Sequence, residues 1–126
     1  MGYTLLVQDW VTVRGGGSVV VLQPEGDYLD ISALEDFASY IEISDFVAGA
    51  GTTLKLQTAP LKEEAYFQDV VTLTVDFGLA VNVVRNSGGG TSPANWLRWR
   101  AHSASGLTWG VTFRACINGN PVGSTR

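Results

Sequence analysis

Apolar and polar residues alternate along most of the chain with a period of two. In an extended strand successive side chains point to opposite faces, so this alternation predicts strands with one buried and one exposed face. Turn residues separate the alternating segments, as in the triple glycine at 15–17 and the "PEG" at 24–26. Strands are predicted at 4–14, 18–23, 27–31, 38–46, 52–59, 70–77, 79–85, 95–101 and 107–117.

This spacing of short strands and turns predicts an all-β fold, a single-domain β-sandwich of jelly-roll topology. Helix is limited to one or two short pieces. Residues 32–35 have the form of a capping box, and Pro60 suits the first turn of a helix over 59–67. With 126 residues the chain has the size of one domain, so residues 1–126 are expected to form one sandwich.

The inward faces of the strands predict the hydrophobic core. The segments at 95–101 and 107–117 are expected to form a hairpin with one apolar face and one face that carries arginine. The predicted core residues, which should pack between two sheets, are Ile41, Ile43, Leu54, Leu56, Leu97, Trp99, Trp109, Val111 and Phe113.

The opposite faces of the same segments carry charges and one aromatic ring. If the four segments neighbour one another, their outward side chains, with Gln57 among them, form a ladder of opposite charges that ends at Trp96. This ladder is either a solvated surface or a contact for another subunit or partner. The candidate contact residues are Trp96, Arg98, Arg100, Arg114, Glu42 and Lys55.

The charge is unevenly distributed along the chain, although its net value is only −4. Residues 1–76 hold all 12 acidic residues and three basic ones, whereas residues 77–126 hold five arginines and no acid. Two arrangements are compatible with this distribution. Acidic strands pair with arginine-bearing strands inside one sheet, or the acidic side of one molecule contacts the basic side of a neighbouring copy. The sequence leaves both arrangements open.

Catalytic, metal and cofactor sites are not predicted. The one histidine, His102, is expected in a surface loop without a nucleophile motif, and with one cysteine, Cys116, no zinc-ligand spacing exists. Glu25, Asp27 and Asp30 offer oxygen ligands for calcium, but turn residues explain the same pattern. The glycine runs lack the Gly-Lys-Ser/Thr ending of a phosphate loop. No direct nucleic-acid binding is expected of a chain that is acidic overall.

Neither a secretion signal nor a membrane span is visible in the first 20 residues, because Gln8, Asp9 and Thr12 interrupt the apolar run. The single cysteine also excludes an internal disulfide. The protein is therefore expected to be made in the cytoplasm, with no membrane partner.

Three segments resemble a known family. They are "LKLQTAPLKEEAYFQDV" at 54–70, "NWLRWRA" at 95–101 and "WGVTFRA" at 109–115. They are similar to the pattern of discoidin-like jelly rolls, and most similar to small phage-encoded versions among virion structural proteins, such as capsid decoration proteins. The resemblance covers residues 37–117. The disulfide and the sugar- or lipid-binding loops of the secreted members have no counterpart in this chain.

The resemblance implies a non-enzymatic protein of a bacteriophage virion that is made in the host cytoplasm. Its partners would be the major capsid protein or other virion subunits, and it would form a homo-oligomer, with a trimer favoured. The alternative function is a carbohydrate-binding module. In that case Trp96 with Trp10 or Tyr40 would stack on sugar rings, and Arg98 or Arg100 would bond to hydroxyls.

Overall fold

The computed structural model describes residues 3–16, 19–47, 52–75, 82–87, 94–103 and 108–121, and strands make up most of them. Each predicted strand is present, with bounds that differ by a few residues, because the period-two pattern locates strands better than it locates their ends. The strands are β1 Tyr3–Gly15, β2 Val20–Leu22, β3 Leu29–Asp30, β4 Leu34–Val47, β5 Thr52–Ala59, β6 Gln68–Val75, β7 Asn82–Ser87, β8 Trp96–Ser103 and β9 Trp109–Pro121.

The strands form two antiparallel sheets that pack face to face. The front sheet has the order β1-β9-β4-β7, and the back sheet has the order β2-β8-β5-β6. The short β3 also pairs with β8, so β2 and β3 pair with successive parts of the same strand. The predicted all-β sandwich is confirmed.

The strand order is that of a jelly roll. If β2 and β3 count as one interrupted strand, β1 pairs with β9, the interrupted strand with β8, β4 with β7, and β5 with β6. The first strand therefore pairs with the last, the second with the next to last, and the remaining strands pair in the same order. This is the pairing that results when a long antiparallel ribbon is rolled into two sheets. This pairing places chain segments far apart in sequence beside one another, which matters for the sites described below.

The prediction that 95–101 and 107–117 form a hairpin is wrong. Strand β8 belongs to the back sheet and β9 to the front sheet, so the two strands face each other across the core. A period-two pattern tells which side chains are buried, but it is the same for a strand in either sheet. Both strands bury their apolar faces, as the pattern requires.

The core lies between the sheets, and every residue predicted for it is buried. Trp99 from β8 and Phe113 from β9 meet edge to face, with their ring centroids 5.4 Å apart. The Trp99 Nε1–H donates a hydrogen bond to Gln8 Oε1 at 2.8 Å. Gln23 is also buried, and its Oε1 accepts a hydrogen bond from the Trp99 backbone N–H at 3.2 Å. The tryptophan thus links the back sheet to the front sheet.

The short helices allowed by the sequence are reduced to turns. Within the described part of the chain, the helical pieces are 3₁₀ turns at Glu25–Asp27 and Glu64–Tyr66. The capping-box sequence at 32–35 makes one turn, in which the Leu34 N–H donates to Ile31 O at 2.9 Å, and then continues as β4. The apolar side chains of Leu34 and Phe37 are buried, which favours the strand over a helix.

The first triple glycine is not simply a loop, because its first member ends β1. A Cβ atom on Gly15 would lie 2.6 Å from Cζ2 of the buried Trp109, so only glycine leaves space for the indole. The sequence also predicts turns at 48–51, 88–93 and 103–106. The first two lie outside the described residues, and of the third only Ser103 is described, as the last residue of β8.

Candidate functional site

The six candidate contact residues lie on two opposite faces of the sandwich. Glu42 on β4 and Arg114 on β9 are on the outer face of the front sheet, whereas the other four are on the back sheet. The single charge ladder is therefore wrong, because β4 and β9 are not in the same sheet as β5 and β8. The back sheet carries Trp96, Arg98, Arg100 and Lys55.

Arg98 is almost completely buried, although the sequence pattern predicts it on an exposed face. It is only 1% exposed. Its guanidinium makes a two-pronged ion pair with Glu64, with Nη1–Oε2 at 2.8 Å and Nη2–Oε1 at 2.9 Å. Nε donates to Gln57 Oε1 at 2.9 Å, and Nη1 also donates to the Tyr28 hydroxyl at 3.1 Å. Such a set of directed bonds marks a structural role.

Two chain segments cover Arg98 from outside the sheet. The covering loop, residues 60–67 between β5 and β6, brings Glu64 and Phe67 over the guanidinium, whose Cζ lies 3.7 Å from the Phe67 ring centroid. Tyr28 from the segment after β2 meets Phe67 edge to face at 5.5 Å. Arg98 thereby holds the covering loop and the Tyr28 segment on the sheet.

The ion pair shifts the pKa values of both partners. The hydrogen bond from Arg98 is the largest influence on Glu64 and lowers its pKa below the ordinary 4.5, against a smaller opposing effect of burial. For Arg98, burial tends to lower the pKa, but the hydrogen bonds to Glu64 and Tyr28 outweigh it, and the net shift is upward. Both groups stay charged at neutral pH.

A pH dependence of stability follows from Glu64. Because its pKa is lower in the folded than in the unfolded chain, its carboxylate stabilises the fold above its ordinary pKa, and this contribution is lost as the pH falls through the folded-state pKa. We expect Glu64→Gln to lower the free energy of unfolding at pH 7, with the difference from wild type shrinking toward pH 3. Urea unfolding at both pH values measures it, with Glu63→Gln as control. A difference independent of pH would contradict the assignment.

Lys55 takes part in a second internal network on the back sheet. Its Nζ lies 2.9 Å from Asp69 Oδ2, and the Gln57 amide donates to Asp69 Oδ1 at 2.8 Å. Burial raises the pKa of Asp69, but the hydrogen bonds from Gln57 and Lys55 outweigh that effect and leave it lowered. Gln57 is therefore shared between Asp69 and Arg98, and the two networks are one.

Trp96 is half-buried and contacts the covering loop. Lys62 Nζ from the covering loop lies 4.2 Å from the Trp96 ring centroid, a cation–π geometry. Trp96 is also on the sheet opposite to Trp10 and Tyr40. The stacking platform predicted for a carbohydrate-binding module, which joins Trp96 to Trp10 or Tyr40, is therefore wrong.

Arg100 borders an apolar surface at the edge of the back sheet. Directly beside it in the sheet is Leu22, and Lys55 lies on its other side. Exposed apolar side chains are concentrated at this edge: Val19 is 53% exposed, Val20 39% and Leu22 36%. We call Val19, Val20, Leu22 and Arg100 the β2 patch.

The front sheet has a different outer face. Arg114 Nη2 lies 2.6 Å from Glu42 Oε2, and the two residues are directly opposite in the register of β9 and β4. An acidic strand thus pairs with an arginine-bearing strand inside one sheet, which confirms that prediction for this pair. The Arg114 guanidinium also lies 5.0 Å from the ring centroid of Trp10, which is 43% exposed.

The outer face of the front sheet has two shallow depressions, and the ion pair lines one of them. One, of about 350 Å³, is lined by Leu6, Tyr40, Glu42, Arg114 and Cys116. The other, of about 400 Å³, extends toward the start of β9 at Gly110. The polar side chains that line it are Thr12, Arg14, Asp45, Thr108 and Thr112.

The remaining candidates for chemistry lie in a strand and in turns. His102 lies within β8 between Val20 and Thr53, so its prediction as a loop residue is wrong because β8 continues to Ser103. Glu25 and Asp27 form a 3₁₀ turn, and Asp30 accepts a hydrogen bond from the Ser32 N–H. Among the described residues, no three His, Cys, Asp or Glu side chains are grouped to hold a metal ion. The same residues include no helix long and apolar enough to cross a membrane.

Sequence reasoning missed several participants in these sites, among them Tyr28, Asp69 and three residues of one loop. Glu64, Phe67 and Lys62 all lie in the covering loop, where no periodic pattern indicates which sheet position a side chain will reach.

No family model, curated protein or solved structure matches the chain.

Proposed function

We propose that the chain is a non-catalytic structural protein of a bacteriophage virion, of the capsid decoration type. It binds the major capsid protein or other virion subunits in the assembled shell. The resemblance of the segments at 54–70, 95–101 and 109–115 to phage-encoded jelly rolls supports the virion setting. The observation that carries the binding role is the β2 patch.

The β2 patch has the chemistry of a protein contact. Proteins usually protect edge strands by keeping them very short or by charges, bulges or coverage, so exposed apolar side chains on a short edge strand are the feature that indicates a contact. Here a three-residue edge strand carries exposed Val20 and Leu22, with Val19 beside them. Arg100 adds a cation that favours an acidic partner surface and fixes orientation. The patch therefore suits an apolar partner surface with a carboxylate at one side.

Binding at this patch would stabilise the shell. A protein that binds the assembled shell but not its free subunits shifts assembly toward the shell by mass action. The contact needs no catalytic group. In such a setting a trimer at a local symmetry axis is the oligomer that we propose, because cyclic assembly lets one patch contact a different patch on the next copy.

Variants in the β2 patch test this function. We expect Leu22→Asp and Arg100→Glu each to weaken binding to shells that lack the protein by at least about ten-fold, because each places an unfavourable charge in the contact. Sedimentation of purified protein with such shells measures occupancy, and mass photometry measures the oligomer. Leu61→Asp is the matched control, since Leu61 is 53% exposed on the covering loop. Wild-type occupancy in both patch variants would overturn the proposal.

A further inference from the structure

The outer face of the front sheet has features that shell binding through the β2 patch does not use. We infer that this face binds a neutral, hydroxyl-rich ligand, an uncharged oligosaccharide, along β9. The inference is independent of the proposed virion function. It rests on an exposed aromatic ring, on paired donors and acceptors beside it, and on the balance of charge along the face.

The aromatic ring is that of Trp10. The register between β1 and β9 shifts between Gln8 and Val11, and this irregularity places Trp10 on the outer face with nearly half of its surface exposed. Arg114 lies against the ring at 5.0 Å. An exposed indole fixed in this way offers a flat apolar surface, which suits the C–H face of a sugar ring.

Hydrogen-bonding groups lie directly beside the indole. Arg114 presents donors and Glu42 presents acceptors, held together at 2.6 Å. A sugar hydroxyl both donates and accepts, so two neighbouring hydroxyls match a guanidinium beside a carboxylate. The depression of about 350 Å³ at this point is also lined by Leu6 and Tyr40, which supply apolar contact area.

The polar surface continues past this point along β9. The Thr12 and Thr112 hydroxyls lie 2.8 Å apart, beside the second depression. Beyond them, the Arg14 side chain lies near Gly110, with Cγ 3.5 Å from the position of a Cβ atom there. From Gly110 to Cys116 the strand spans roughly 20 Å at about 3.3 Å per residue, which is longer than one sugar ring.

The charges that line the two depressions favour a neutral ligand. Among these described lining side chains, Arg14 and Arg114 are balanced by Glu42 and Asp45. At the depressions a polyanion such as a nucleic acid or an acidic polysaccharide would meet two carboxylates for two guanidinium groups, without net attraction. An uncharged ligand with many hydroxyl groups can form hydrogen bonds with all four of these side chains.

Affinity electrophoresis of the full chain tests the inference. The probes are the neutral polysaccharides laminarin, xyloglucan, galactomannan, dextran and arabinoxylan, each cast in a native gel, with alginate as the anionic comparison. We expect at least one neutral polymer to retard the wild type. Trp10→Ala should weaken that binding by at least about ten-fold, and Trp10→Tyr should retain part of it. Tyr66→Ala, which removes an equally exposed aromatic from the 3₁₀ turn, should bind as wild type.

Three results would overturn the inference. They are no retardation by any neutral polymer, equal retardation of wild type and Trp10→Ala, or stronger retardation by alginate than by every neutral polymer. Loss of shell occupancy or oligomer mass in Trp10→Ala, without any polysaccharide binding, would make the front face a protein contact instead. Because the proposed function is tested by Leu22→Asp and Arg100→Glu, failure of one proposal is distinguishable from failure of the other.

Discussion

Replacing Trp99 by alanine is expected to lower the free energy of unfolding by about 3–5 kcal/mol, the ordinary cost of removing a buried tryptophan. Trp99 is buried, contacts Phe113 edge to face, and bonds through Nε1 to Gln8. The substitution opens a cavity between the sheets and removes a hydrogen bond that joins them. Urea unfolding followed by circular dichroism measures the change.

The matched control is Trp10→Ala, which removes the same side chain from an exposed position on β1. We expect this change to lower the free energy of unfolding by less than about 1 kcal/mol. If the two variants were equally stable, the assignment of Trp99 to the buried face of β8 would be wrong.

The second large effect is expected from Arg98→Ala, which should lower the free energy of unfolding by about 2–4 kcal/mol. The change removes a buried side chain that fills the space under Phe67 and leaves the buried Gln57 without its Arg98 partner. Arg98→Lys should recover only part of the loss, because one ammonium group does not reproduce the planar fork that bonds Glu64 and Gln57. Chemical denaturation of the three proteins gives the comparison.

Arg100→Ala provides the control on the same strand. Arg100 is the next outward-facing arginine of β8 and is half-buried, so its removal should change the free energy of unfolding by less than about 1 kcal/mol. Equal losses from Arg98→Ala and Arg100→Ala would show that the covering loop does not depend on Arg98. Increased protease cleavage within 60–67 in Arg98→Ala alone would confirm that it does.

The all-β class and the buried faces of the strands were predictable because apolar and polar residues alternate with the period of a β-strand. Ile41 and Ile43, for example, are buried because they share the inward face of β4, and the same reasoning places Leu54 and Leu56. Alternation does not indicate which of the two sheets a strand belongs to, so the partner strands of β8 and β9 were not predictable. Long-range pairing depends on the whole chain.

The candidate sites were predictable only in part. Glu42 and Arg114 lie on neighbouring strands of one sheet and form an ion pair, which is one of the two charge arrangements that the sequence left open. Arg98 follows the same alternation as Arg100, and no local signal distinguishes them. Their difference is created by Glu64 and Phe67, which a nonperiodic loop brings over one position and not the other. Burial by a loop is a tertiary effect, which sequence periodicity does not contain.

The most direct measurement of the proposed function is cryo-electron microscopy of shells formed when this chain is expressed together with the major capsid protein encoded in the same genome. We predict added density in the shape of a two-sheet sandwich on the outer surface of the shell, with the β2 patch at the contact and Trp10 of the front sheet facing solvent. Bare shells in the presence of excess protein, or a sandwich bound through its front sheet, would contradict this account.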